Sequence, residues 1–235
     1  MGVSFDTTSA TIVVPIMAAS LEEAALQWEA AVGAGADIVE WRIDALGPHL
    51  WDAETVGESG AALRAQFGKP VLATMRTAKE GGGFTGSAAQ YRSILRDAGG
   101  WADLVDVEVG YRGAEELIAE LRGRTAVVGS FHDFTTEPSA ATTVQLLGQM
   151  QDLGCGVGKV AWMVVTEADL ALVKNLQVWA AEHLSMPTVV IGMGPLGTES
   201  RLGNSALMSA FTFARGSVES APGQPTVEEI RASVI

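Results

Sequence analysis

The chain has 235 residues, 48% of them hydrophobic, with one cysteine and a formal net charge of −13. A globular chain of this size buries about 70 to 75% of its unfolded surface, and the acidic balance argues against nucleic-acid and anionic-membrane partners, which need a basic surface. An anionic substrate would have to be held by a few local arginines, and the lone Cys155 leaves no internal disulfide framework and no zinc site of its own, which fits a reducing cytoplasm.

The opening MGVSFD places Asp6 where a myristoylation signal needs Ser or Thr, and no Lys or Arg precedes the apolar run TIVVPIMAA, so that run reads as a first strand. No apolar run approaches the length of a bilayer crossing, and a soluble, unanchored protein is expected. Short β-branched runs then recur, each followed by a stretch of helical periodicity. Strands are expected at Thr11–Met17, Asp37–Arg42, Pro70–Arg76, Asp103–Val109, Thr125–His132, Gly156–Val164, Pro187–Met193 and Phe211–Ala214. Helices are expected near 20–33, 52–67, 86–98, 113–122, 138–153, 166–184 and 198–209, with a last one from about Thr226. Ser20 with Glu23 reads as a capping box, and Thr166 with Asp169 resembles one.

The strands lack a charged solvent face, as parallel strands covered by helices do. About eight strand–helix units without a linker or composition break point to a single-domain α/β fold, a (β/α)8 TIM barrel over residues 1–235. The competing architecture, a doubly wound open sheet, would lack polar side chains facing inward from the middle of several strands.

Those inward polar groups are present. Alternation puts Ile38, Glu40 and Arg42 on one strand face, and likewise Leu72, Thr74 and Arg76; Leu104, Asp106 and Glu108; Val128, Ser130 and His132. In GKVAW, Lys159 is the one charge of an apolar run from Val157 to Val165. An ammonium buried there loses hydration, its pKa falls, and the neutral amine becomes a Schiff-base nucleophile. The plainer readings are a lysine that snorkels to water or pairs with a carboxylate. Glu40 with Arg42 reads equally as a structural ion pair, His132 as a turn cap with Asp133, and Asp106 and Glu108 as scaffold partners of the arginines. Together the plain readings become strained, because burying so many ionisable groups costs several kcal/mol each unless they are paired.

Two apparent motifs fail. GCGVGK has Leu153 where a P-loop needs Gly and Val160 where it needs Ser or Thr, and a dinucleotide fingerprint would need Gly at Lys159. The run Gly81–Gly83 reads as a flexible turn after Arg76. His49, His132 and His183 are too scattered to suggest a metal-dependent hydrolase.

The ordered set EWRID (Glu40–Asp44), MRTAKEGG (Met75–Gly82), SFHDF (Ser130–Phe134), GKVAW, the ESR ending in Arg201, and SAPGQ (Ser220–Gln224) resembles type I 3-dehydroquinate dehydratase over nearly the whole chain. The resemblance implies dehydration of 3-dehydroquinate to 3-dehydroshikimate in the shikimate pathway, by a small-molecule enzyme without cofactor or metal, cytoplasmic and homodimeric. It implies Lys159 as the imine-forming amine, His132 as general acid and base, and Glu80 as the carboxylate that orients the histidine. By its neighbours alone Glu80 would be read as exposed loop. Glu40, Arg42 and Arg76 are implied to hold the ring hydroxyls, and Arg201, Ser220 and Gln224 the substrate carboxylate, although the segment around Arg201 is shortened relative to the family pattern. The turn-rich stretch 217–225 is expected to form a lid. A lysine-dependent aldolase acting on a sugar phosphate, held by amides of GMGPLG, and a non-catalytic ligand-binding barrel are the alternatives.

Overall fold

The computed structural model describes residues 11–202 and 207–233. Eight strands follow one another as β1 (Ile12–Ile16), β2 (Ile38–Arg42), β3 (Val71–Thr74), β4 (Leu104–Glu108), β5 (Ala126–Asp133), β6 (Val157–Met163), β7 (Thr188–Met193) and β8 (Thr212–Phe213). Helices α1 (Leu21–Gly33), α2 (Ala53–Phe67), α3 (Ala88–Ala98), α4 (Ala114–Leu121), α5 (Ala140–Asp152) and α6 (Glu167–His183) connect the first seven, and α7 (Val227–Ser233) follows β8. All seven pairings are parallel, in the order β7-β6-β5-β4-β3-β2-β1-β8. At the remaining seam, the amide of Ala210 donates to the carbonyl of Thr188, so the sheet is a nearly closed barrel.

Two apolar layers follow from the strand alternation. The outward face, with Val39 and Trp41 of β2 and Val105 and Val107 of β4, packs on the helices. The rings of Trp28 and Trp41 lie 6.5 Å apart, and those of Trp41 and Trp101 lie 5.8 Å apart. Inside the barrel, Val13, Ile38, Leu72, Leu104, Val128, Val157, Val189 and Phe211 share a second cluster. These residues lie near the starts of their strands and form an apolar floor, each contributing roughly 1.5–3 kcal/mol of burial. One pleat further along, the inward positions turn polar at Glu40, Thr74, Asp106, Ser130 and Lys159, all buried. The floor keeps water out from below and leaves the C-terminal mouth as the way in.

Two local expectations are corrected. Ser20 caps α1 by accepting from the amide of Glu23, but the Glu23 carboxylate takes the amide of Ala19, so the box is incomplete. Thr166 and Asp169 form the complete reciprocal box. The stretch expected as a helix near 198–209 begins as part of a 3-10 segment over Leu196–Arg201, residues 203–206 lie outside the described residues, and Leu207 beyond them is α-helical. The cause is close packing: a Cβ on Gly197 would sit 2.5 Å from the carbonyl carbon of Gly192, so this turn is pressed onto the end of β7. No helix of the described residues is long and apolar enough to cross a membrane.

Candidate active site

A pocket opens at the C-terminal mouth of the barrel, lined by convergent polar groups on an apolar wall, as small-ligand sites are. All nine residues singled out in the sequence line it: Glu40, Arg42, Arg76, Glu80, His132, Lys159, Arg201, Ser220 and Gln224. Ala161, Ile191, Met193, Phe134 and Phe213 supply its apolar wall.

Lys159 enters from β6 beside Ser130 of β5. It is 5% exposed, and its Nζ lies 3.9 Å from Oδ2 of Asp106 and 4.3 Å from the centre of the Phe213 ring. Burial is the main cause that brings its pKa down to about 8, with Asp106 opposing the shift and Arg76 adding to it. The amine is therefore neither snorkelling nor tied into a short ion pair.

His132 lies one pleat nearer the mouth, paired in register with Ala161. Its Nδ1 is 3.0 Å from Oε2 of Glu80, leaving Nε2 as the ring nitrogen on the far side. Burial, and then Arg76 and Lys159, hold the imidazole well below its ordinary pKa, so it rests uncharged. Glu80 ends a short 3-10 turn over Ala78–Glu80 and is buried, not an exposed loop residue. Burial raises its carboxyl to about 8 against the pull of Arg76, whose Nη1 is 3.7 Å away.

The following glycines explain how Glu80 comes to be inside. A Cβ on Gly82 would stand 2.2 Å from the Arg76 carbonyl oxygen, and one on Gly83 would stand 2.6 Å from the carbonyl oxygen of Asp44. Gly81 adopts φ +81°, a left-handed conformation that glycine takes without steric cost. The triple glycine is thus a tight backbone approach that draws the loop onto the ends of β2 and β3, not a flexible turn.

Arg76 is the hub of the buried charges. Its Nη1 donates to Glu108 (3.1 Å) and Ser130 (2.9 Å), and its Nη2 donates to Asp106 (2.9 Å). Glu108 also accepts the amide and hydroxyl of Thr77 at 2.7 and 2.6 Å. Three of the five guanidinium donors are thereby engaged within the protein, so Arg76 organises the acids as well as facing the pocket. Asp106 and Glu108 are the scaffold partners that the strand pattern suggested.

Arg42 pairs with Asp44 rather than Glu40. The contact is bidentate, with both bonds at 2.8 Å. Asp44 further accepts the amides of Arg76 (3.2 Å) and Gly83 (2.9 Å), joining β2, the end of β3 and the loop of Glu80. Sequence reasoning missed this role, although Asp44 lies within EWRID. Glu40 accepts from the Thr74 hydroxyl at 2.9 Å.

Arg201 is 1% exposed, and its Nε and Nη2 find no hydrogen-bond partner among the described residues. Burial lowers its pKa to about 10, with Glu219 opposing. Buried guanidinium donors left without partners are costly and are suited to an anionic ligand. Above it, Gln224 Oε1 accepts from the amide of Ser220 at 2.9 Å. The loop is fastened to the barrel by Gly194 N–H donating to the Pro222 carbonyl and by the Thr198 hydroxyl donating to the Gly223 carbonyl, both at 3.0 Å. The amides of Gly192, Gly194 and Gly197 donate within the protein, so these three amides of GMGPLG are not free to cradle a phosphate.

A family model described as type I 3-dehydroquinase matches residues 12–234. The chain is 34% identical over 228 residues to the 3-dehydroquinate dehydratase of Salmonella paratyphi B, covering 94% of this chain and 90% of that protein. Among solved structures, the 3-dehydroquinate dehydratase of Geobacillus kaustophilus superposes with a TM-score of 0.89 at 28% identity, covering 97% of this chain and 90% of that one. The Clostridium difficile type I 3-dehydroquinate dehydratase, with covalently modified comenic acid, gives a TM-score of 0.87 at 28% identity, covering 96% and 91% of the two chains. With the family match running from β1 through α7 and enclosing every residue of the pocket, the chain belongs to the type I 3-dehydroquinase family.

Proposed function

We propose that this chain removes water from 3-dehydroquinate to give 3-dehydroshikimate, through an imine between Lys159 and the substrate. The observation that carries the reading is the state of Lys159: a buried amine, brought down to about 8, with its nearest carboxylate oxygen 3.9 Å away. About one amine in ten is then uncharged at pH 7, and about half at pH 8.

The neutral Nζ adds to the C3 ketone, and loss of water from the adduct leaves a positively charged imine that acidifies the C2 hydrogen. His132 is placed to take that proton. Its Nδ1 is held by Glu80, so Nε2 acts as the base and then returns a proton to the departing C1 hydroxyl. Hydrolysis of the imine releases product and restores the amine. Arg201, with Ser220 and Gln224, receives the substrate carboxylate, and its Nε and Nη2, which have no partner among the described residues, supply the donors. Glu40, Arg42 and Arg76 face the ring hydroxyls. The named relatives support the substrate, and the Clostridium difficile protein supports covalent chemistry in this family. A place in the shikimate pathway, in the cytoplasm and as a homodimer, belongs to the same reading.

The test is turnover. Incubation with 3-dehydroquinate should produce the enone absorbance of 3-dehydroshikimate, and Lys159→Ala should abolish it. A purified, folded chain that leaves 3-dehydroquinate unchanged would refute the reading.

A further inference from the structure

Two groups stand beside Lys159 Nζ, and neither is within hydrogen-bonding distance. One is the face of Phe213, with its ring centre at 4.3 Å; the other is Oδ2 of Asp106, at 3.9 Å. Both are fixed by other contacts. Asp106 is held by Arg76 Nη2 at 2.9 Å and by the Ser130 hydroxyl at 2.6 Å. Phe213 is 3% exposed and meets the ring of Phe211 edge to face, with centres 5.5 Å apart and planes at 80°.

An ammonium and an iminium ask different things of such neighbours. The ammonium has three N–H donors, whereas the protonated imine has one N–H and a positive charge on a flat group. Partners that gripped Nζ by short hydrogen bonds would favour the ammonium and be lost when the imine forms. Partners that act through space across about 4 Å are kept, because an aromatic face and a carboxylate attract positive charge without needing a donor.

We propose that Phe213 is a catalytic residue: its ring face, with the fixed Asp106 carboxylate as counter-charge, stabilises the positive imine formed at Lys159. The assignment rests on the imine reading above. In that step the amine, the carbonyl and one proton give the iminium and one water, so the nitrogen passes from neutral to positive. The charged and titratable groups facing Lys159 are Glu40 and Arg42 of β2, Arg76 after β3, Asp106 of β4 and the uncharged His132 of β5. All remain when Phe213 alone is changed, so an altered titration can be assigned to the ring.

The experiment compares the full-length chain with Phe213→Leu and Phe213→Tyr. The readouts are kcat, KM, and borohydride trapping with 3-dehydroquinate as a function of pH, followed by mass spectrometry of the Lys159 peptide. Phe213→Leu is expected to move the trapping midpoint to lower pH and to lower kcat about ten- to thirtyfold, with KM changed less than kcat. Phe213→Tyr, which keeps the π face, should recover most of the loss. Should Phe213→Leu fail to fold, trifluorophenylalanine placed at position 213 by stop-codon suppression keeps the shape, weakens the ring's negative face and should shift both readouts the same way. An unchanged midpoint and trapping yield in these variants, beside a wild-type adduct, would overturn the role of Phe213 while leaving the imine intact. A wild-type chain without an adduct on Lys159 would overturn both.

Discussion

A single oxygen of Glu80, Oε2, accepts the backbone amide of His132 and is hydrogen-bonded to the ring Nδ1 of the same residue, each at 3.0 Å. Main chain and side chain of the same histidine are therefore fixed by one carboxylate, which sets the ring plane and leaves Nε2 for the substrate.

His132→Ala is accordingly expected to lower kcat by about 10²- to 10⁴-fold, the usual range for a general base. It should leave imine formation intact, so the Lys159 adduct accumulates. Glu80→Ala should lie between this variant and wild type, because the ring remains but loses its orientation. Single-turnover kinetics with borohydride quenching separate the two steps. An adduct lost in His132→Ala would place the histidine before imine formation.

Keeping Lys159 buried has a stability cost. Its pKa is lowered to about 8 in the folded chain from 10.5, so between those values the unfolded chain binds more protons and native stability rises with pH. Below about pH 8 the full cost applies, on the order of 3 kcal/mol. Lys159→Met should abolish turnover and raise Tm at pH 7 by several degrees, with the advantage shrinking toward pH 10.5. Thermal unfolding across that range checks both the sign and the window.

Arg201 carries a different expectation, because its buried Nε and Nη2 have no hydrogen-bond partner among the described residues. Arg201→Gln should raise KM about ten- to a hundredfold through loss of a charge-assisted contact. It should also remove most of the Tm increase that the product 3-dehydroshikimate gives the wild type. Above it, amides in residues 217–225 should exchange more slowly with product bound, as expected for a lid. Equal exchange in both states would contradict that role.

Asp44 is the buried acid that several parts of the mouth share, bidentate to Arg42 and accepting the amides of Arg76 and Gly83. Asp44→Ala leaves Arg42 as an uncompensated buried charge and should cost about 3–5 kcal/mol, read by urea unfolding. Asp44→Asn retains an acceptor and should cost less. In both variants kcat should fall, because the loop that carries Glu80 loses its anchor at Gly83.

Much of this arrangement is legible in the sequence, and what is not has a physical cause. Alternation along each strand commits Glu40, Arg76, His132 and Lys159 to one face, and a parallel barrel has only one interior for them to share. Glu80 escapes such reasoning because its burial is produced by Gly82 and Gly83, whose missing side chains let the loop approach Arg76 and Asp44. Asp44 escapes it because the bond to Arg42 forms where β2 gives way to a 3-10 turn and alternation ends. The 3-10 geometry of Leu196–Arg201, part of which reads as the start of a helix near 198–209, is hidden until the contact of Gly197 with Gly192 is known.

The most direct measurement is borohydride reduction of the full-length chain in the presence of 3-dehydroquinate, followed by peptide mass spectrometry. An adduct on the peptide carrying Lys159 is expected, formed faster as pH rises toward 8 and absent from Lys159→Met. No adduct, or one on Lys69, Lys79 or Lys174 with Lys159 unmodified, would contradict the role of the buried amine.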